Sequence, residues 1–195
     1  MRFGPVLFVL GGVGCADDSV STTSSSSSGA GPGPVACTVF PADSPWNQDV
    51  SDLPVHPDSD TFIDAIGRGT RLHPDFGTTY EGAPNGIPYA VVGGDQPEVP
   101  ITFLAYEKES DPGPYPIPAG APIEGGPESD GDRHVIVIDA EACTLYELFR
   151  AFPRDGGSRW EADAGAVFDL RTNDHHPLRK TSADAAGLPI YPGLV

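Results

Sequence analysis

Large apolar side chains in this sequence fall in short alternating runs separated by Pro, Gly and acidic residues, and the strongest runs lie between Arg133 and Phe152. Arg133 to Asp139 and Thr144 to Phe152 are rich in Val, Ile, Leu, Tyr and Phe, with a short polar stretch between them. That pattern predicts two antiparallel strands joined by a tight turn. Further strands are predicted over Ile87 to Val92 and Val99 to Tyr106, with GGDQPE as the turn between them. Another covers Ala164 to Arg171, where Ala166, Phe168 and Leu170 take one side. A helical period is clearest over Asp60 to Ile66, which gathers Phe62, Ile63 and Ile66 on one face, with Asp60 placed to cap and Gly67 to terminate. Ser110 to Asp132 is so dense in Pro and Gly that an extended surface loop without ladder hydrogen bonds is expected. Together these elements predict a single, mainly β domain, sandwich or jelly-roll-like, with one short helix.

The N-terminal segment changes where that domain begins. MRFGPVLFVLGGVGC carries one positive charge, Arg2, then an apolar run ending in small residues. This is the layout of a secretory signal over residues 1–14, too short to span a bilayer. Its Gly12-Val13-Gly14-Cys15 ending resembles a bacterial lipobox, with Gly12 where Leu is usual, and predicts lipidation of Cys15. Residues 15–36, with the run Ser24 to Ser28, have almost no large apolar side chains and are expected to form a disordered tether. The β-rich domain then covers residues 37–195, exported to the cell envelope or the extracellular space.

Cysteine count and charge refine this picture. With Cys15 assigned to the lipid, Cys37 and Cys143 remain as a pair, and in an exported domain they are expected to form a disulfide; two free buried thiols are the alternative. The sequence holds 28 acidic against 11 basic residues, a formal net charge of -17. Such acidity disfavours nucleic acid and other anionic polymers as partners and leaves membrane contact to the lipid anchor.

Candidate chemistry centres on the hairpin. If Asp139 pairs with Thr144, then Ile138 faces Leu145, Ile136 faces Glu147 and His134 faces Phe149. His134 and Glu147 then share one face among apolar neighbours, close enough to act as a proton-handling pair. A one-residue slip would instead send Glu147 to solvent. Arg133 and Asp139 fall on the opposite face and are expected to reach solvent, with Arg150 opposite Arg133. Tyr115 and Trp160 are candidate sugar-stacking aromatics, with packing against the core as the other role open to Tyr115. Arg171 is a candidate anion-binding residue, or the partner of Asp169 in a surface ion pair.

Metal and cofactor signals are weak. Asp130-Gly131-Asp132 has acidic spacing without a complete calcium-loop pattern, and the adjacent His175 and His176 point apart if the backbone there is extended. His73 beside Pro74 reads as a loop residue with a smaller case for a ligand or base. Neither a dinucleotide fingerprint, a P-loop, HExxH nor GxSxG occurs, so no cofactor is expected.

The segments FPADSPWN, LHPDFG, GIPYAVV, DPGPYPIP, IEGGPESDGDRHVIVID, LYELF, GAVFDLR and TSADAAGLPI resemble those of a family of secreted, largely uncharacterised β-rich proteins of soil bacteria, including myxobacteria and actinobacteria. The resemblance spans about Phe40 to Val195. It implies an extracellular β-rich domain and supplies no catalytic residue. It also implies a further, histidine-bearing strand beyond Val195, so that the domain is truncated at its C-terminal end. The leading expectation is action on extracellular polysaccharide by acid/base chemistry at Glu147 and His134, with Tyr115 or Trp160 as the stacking platform. The alternatives are a non-catalytic carbohydrate or surface-binding module and a structural envelope lipoprotein.

Overall fold

The computed structural model describes residues 37–71, 79–80, 83–84, 86–177 and 180–193. The segments predicted as signal and tether, Cys15 and His73 fall outside these residues. The described part of the protein is mainly β, with one short α-helix and two mixed sheets. A two-residue pair, β1 (Thr79–Tyr80) with β2 (Ala83–Pro84), precedes them.

The larger sheet has the order β3 (Tyr89–Val92), β5 (Val135–Asp139), β6 (Thr144–Phe149), β9 (Ala164–Asp169), and β3 runs parallel to β5. The smaller sheet has the order β4 (Ile101–Phe103), β8 (Arg159–Ala162), β7 (Phe152–Arg154), with β4 parallel to β8. Every residue of β5 is buried because both faces of the larger sheet are covered. Val135, Val137 and Leu148 pack toward the smaller sheet with Trp160, Ala162, Tyr115 and Ile117. On the other face Ile136, Ile138, Leu145 and Phe168 pack with Phe40, from the first described segment, and Tyr191, from the last. A strand buried on both sides needs apolar residues at consecutive positions, which is what VIVI supplies.

Of the two registers left open by the sequence, the unslipped one is present: Asp139 pairs with Thr144, Ile138 with Leu145 and Ile136 with Glu147. Asp139 sets it, because its carboxylate accepts the amides of Glu141 and Ala142 at 2.9 and 2.8 Å and so shapes the turn. Cys143, at the end of that turn, is joined to Cys37. A cross-link over a sequence separation of 106 residues removes denatured-state freedom worth about 4 kcal/mol.

Several expectations need correction. The run Thr144 to Phe152 is not one strand: Arg150 adopts a φ of 52°, and the backbone leaves the larger sheet there to enter the smaller one as β7. That break separates the like charges, since Arg150 pairs with Asp163 at 2.8 Å. Arg133 does not reach solvent. It is buried, its guanidinium donating to the carbonyls of Ala151, Pro127 and Ser129 at 2.8 to 3.1 Å and lying 4.3 Å from the Phe152 ring centroid. Asp139 is likewise buried, retained as the acceptor of the turn.

Ser110 to Asp132 is only partly a surface loop. Tyr115, Pro116 and Ile117 are buried, and Val99 and Tyr115 exchange backbone hydrogen bonds of 2.8 and 3.0 Å. Pro112, Pro114, Pro116 and Pro118 have no amide hydrogen, so this segment enters the interior with fewer donors to satisfy. The helix α1 (Ser59–Ile66) begins after Asp58, not at Asp60, and its apolar face is uncovered, with Phe62 53% exposed.

Candidate functional site

Glu147 is the central polar residue of the face covered by the segments that carry Phe40 and Tyr191. Ladder pairing places it between Ile136 of β5 and Ala166 of β9, and the C-terminal segment closes over it, leaving it 0% exposed. Its carboxylate accepts the Ile190 amide at 2.9 and 3.0 Å and the Tyr191 amide at 2.9 Å. These amides begin the turn Tyr191–Gly193, so Glu147 supplies acceptors that the turn's own backbone lacks. Burial pushes its carboxyl up to about 7, against the opposing effect of the Ile190 and Tyr191 amides, and the negative charge of Asp184 adds to the rise.

His134 lies one residue before β5, and its neighbours are different. Its backbone amide donates to Glu124 Oε2 at 3.2 Å, and its Nε2 is 4.0 Å from both Glu124 Oε2 and Asp132 Oδ2. Its ring packs 5.6 Å from that of Phe149. Nδ1 is buried without a hydrogen-bond partner. The expected His134–Glu147 pair is therefore not formed: backbone amides occupy the Glu147 carboxylate, while His134 belongs with Asp132 and Glu124.

His134 and Asp132 open onto a cleft of about 620 Å³, and Glu147 does not line it. Trp46 and Tyr106 form part of its wall and are 42% and 46% exposed. Ile87, Phe149, Pro189 and Ile190 add apolar surface, and Thr181, Ser182 and Asp184 add polar groups. No Lys or Arg is among its described lining residues.

Trp46 is placed by a Pro-initiated turn, Pro45–Asn47, capped by Ser44 and pinned where the Asn47 side-chain amide donates to the carbonyls of Val39, Phe40 and Pro41 at 2.8 to 3.2 Å. The segment Thr181 to Gly193 supplies the opposite wall. It is anchored at its start where Glu109 accepts the Thr181 amide at 2.9 Å, and by the contacts of Asp111 with His176 at 2.7 Å and Lys180 at 3.2 Å. Burial raises the Asp111 carboxyl, but hydrogen bonds from the Val167 amide, Lys180 and His176, together with the charge of His176, outweigh it and hold the group below its ordinary value.

The remaining candidates lie away from the cleft. Tyr115 is fully buried, its hydroxyl donating to the Asp111 carbonyl at 2.7 Å, and close to Gly165, where an added Cβ would meet the Phe103 ring at 2.7 Å. Trp160 is also fully buried in the core between the sheets. Neither ring has a face to offer a sugar, so both are corrected from stacking platforms to core residues. Arg171 is exposed and paired side by side with Asp169 at 2.8 and 2.9 Å. His175 and His176 do point apart, His175 against Phe40 and His176 against Phe168. Among the described residues no three His, Cys, Asp or Glu side chains converge as a metal-ligand set. Among them, too, no helix is long and apolar enough to cross a membrane.

Trp46, Tyr106 and the wall from Thr181 to Ile190 were missed in the sequence because they are remote from one another along it. The available signal was Trp46 itself, a large aromatic in a segment too rich in proline to form a buried strand. No family model, curated protein or solved structure matches the protein.

Proposed function

We propose that the domain is a non-catalytic saccharide-binding module displayed outside the cytoplasm. The observation that carries this reading is the cleft, where half-exposed Trp46 and Tyr106 rings stand beside the side chains of Asp132, His134, Thr181, Ser182 and Asp184. Sugar rings present apolar faces and peripheral hydroxyls, and a site for them combines aromatic surface with a few fixed donors and acceptors. The lack of Lys and Arg among the described lining residues and the net charge of -17 select a neutral or amine-bearing saccharide over an anionic one. The Cys37–Cys143 disulfide suits an oxidising, extracytoplasmic setting. Export by the signal, attachment through Cys15, a sandwich-type architecture and membership of the soil-bacterial family belong to the same proposal.

The test is to titrate the purified protein with neutral, amine-bearing and uronate oligosaccharides. Binding of either of the first two, lost in Trp46→Ala and Tyr106→Ala, supports the proposal; no binding, or equal binding by both variants, contradicts it. A second reading, acid/base cleavage of polysaccharide, draws on His134 Nε2 lying 4.0 Å from both Glu124 and Asp132 at the cleft. Release of products, abolished in His134→Ala, would select it. Glu147, enclosed by the sheet and the C-terminal segment, has no surface with which to touch a substrate in either reading.

A further inference from the structure

Glu147 does not line the cleft, yet it grips the segment that forms much of the cleft wall. That strap runs from Thr181 to Gly193, and Ile190 both lines the cleft and donates its amide to Glu147. Between the two anchors the strap is shaped by its own contacts. Asp184 Oδ1 accepts the Ala186 amide at 2.9 Å, and Gly187 has a φ of 79° where an added Cβ would meet the Lys180 carbonyl at 2.6 Å.

We propose that Glu147 is the positioning residue of the cleft, fastening the strap more firmly as a neutral acid than as a carboxylate, so that acidification stiffens the cleft wall and deprotonation loosens it. The functional consequence rests on the cleft being a binding site; the mechanical one does not. With the strap in place, Glu147 faces Ile136 on β5 and Ala166 on β9. Among the described residues no basic group pairs with it, and the strap brings Asp184, a second negative charge. An enclosed carboxylate with two amide donors and no counter-charge is poorly stabilised. Lifting the strap returns it to water.

The direction of the effect follows. Burial, to which the strap contributes, raises this carboxyl from the ordinary 4.5 to about 7, against the opposing effect of the strap's own Ile190 and Tyr191 amides. A raised carboxyl favours the closed form fully below the lower value, and that preference is lost as pH climbs through the upper one. Other titratable groups face the strap: Asp132 and His134 across the cleft, Tyr89 against Tyr191, and Glu109, Asp111, His176 and Lys180 at its first anchor. The test must therefore isolate Glu147.

Amide hydrogen exchange of the whole protein, corrected for intrinsic rates, is compared for wild type and Glu147→Gln between pH 5 and pH 8. In wild type, protection of the Ile190 and Tyr191 amides is expected to fall by about tenfold or more, while β5 and β6 change less. In Glu147→Gln, whose side chain stays neutral, it is expected to remain level. A level wild-type profile, or an undiminished fall in the variant, overturns the proposal. If Glu147→Gln does not fold, direct carbon-13 titration of the Glu147 carboxyl in wild type decides: a midpoint near neutrality supports the proposal, and one near the ordinary 4.5 overturns it. No saccharide is present, so failure of the binding reading leaves this outcome untouched. Glucosamine oligomers added afterwards test whether affinity follows the same pH profile.

Discussion

The two faces of the larger sheet are made by the same four strands and differ in what covers them. One face meets the smaller sheet through Val135, Val137 and Leu148 against Trp160 and Tyr115. The other meets the irregular segments that carry Phe40 and Tyr191, and at its centre sits a carboxylate. A sheet satisfies its own backbone, so on the first face the two sheets meet mainly through apolar contact. Irregular segments bring unpaired amides, and those of Ile190 and Tyr191 need an acceptor. Glu147 provides one, and at the margin of that cover lies the cleft. Arg133 and Asp139 are buried too, meeting loop carbonyls and turn amides, whereas Glu147 holds the segment that forms the cleft wall.

Removing a large side chain from the first face has the largest expected effect. Trp160→Ala is expected to cost about 4 kcal/mol of unfolding free energy, read from urea denaturation, with ligand binding altered only as far as the protein unfolds. Breaking the Cys37–Cys143 bridge by paired Ser substitutions is expected to cost about 4 kcal/mol, visible as a lowered melting temperature that reductant does not lower further. It would show how far the second face relies on a tie from Cys37 to the hairpin.

Glu147 sharpens the comparison further. Glu147→Ala leaves the two strap amides without their acceptor and is expected to cost about 2 kcal/mol at pH 5. Glu147→Gln is expected to match wild type near pH 5 and to exceed it by up to roughly 2 to 3 kcal/mol at pH 8. The wild-type group, raised to about 7, loses its contribution to stability as pH rises from about 4.5 through about 7. Denaturant titrations of both proteins across this range measure the difference, and parallel pH profiles would contradict it. Smallest in stability are Trp46→Ala and Tyr106→Ala, expected to stay within about 0.5 kcal/mol of wild type while removing binding.

The hairpin was legible because several local signals agree. Alternating Val and Ile on either side of a short polar turn marked the two strands, while the choice between the direct and the slipped register was settled only by the pairing of Asp139 with Thr144. The disulfide was legible because setting Cys15 aside as the expected lipidation site leaves Cys37 and Cys143 as a pair. The role of DPGPYPIP was not, because proline density usually marks surface segments, whereas here it lets Tyr115 run between the sheets. Arg133 was equally opaque: three carbonyls and the Phe152 ring that receive it come from separate segments. For Glu147 the ladder partner was correct and the chemistry was not, since nothing local indicates that Ile190 and Tyr191 fold back onto it. The cleft draws on residues from Trp46 to Gly193, and only tertiary packing assembles it.

The most direct test of this account is a nitrogen-15 NMR titration of the protein with glucosamine oligomers, a neutral glucan and a uronate oligomer. The account predicts shifts of the Trp46 indole, Tyr106, His134 and the strap from Thr181 to Ile190 with at least one of the first two ligands. It predicts none with the uronate and none in Trp46→Ala. Silence at those positions with every ligand, or shifts that persist unchanged in Trp46→Ala, would contradict it.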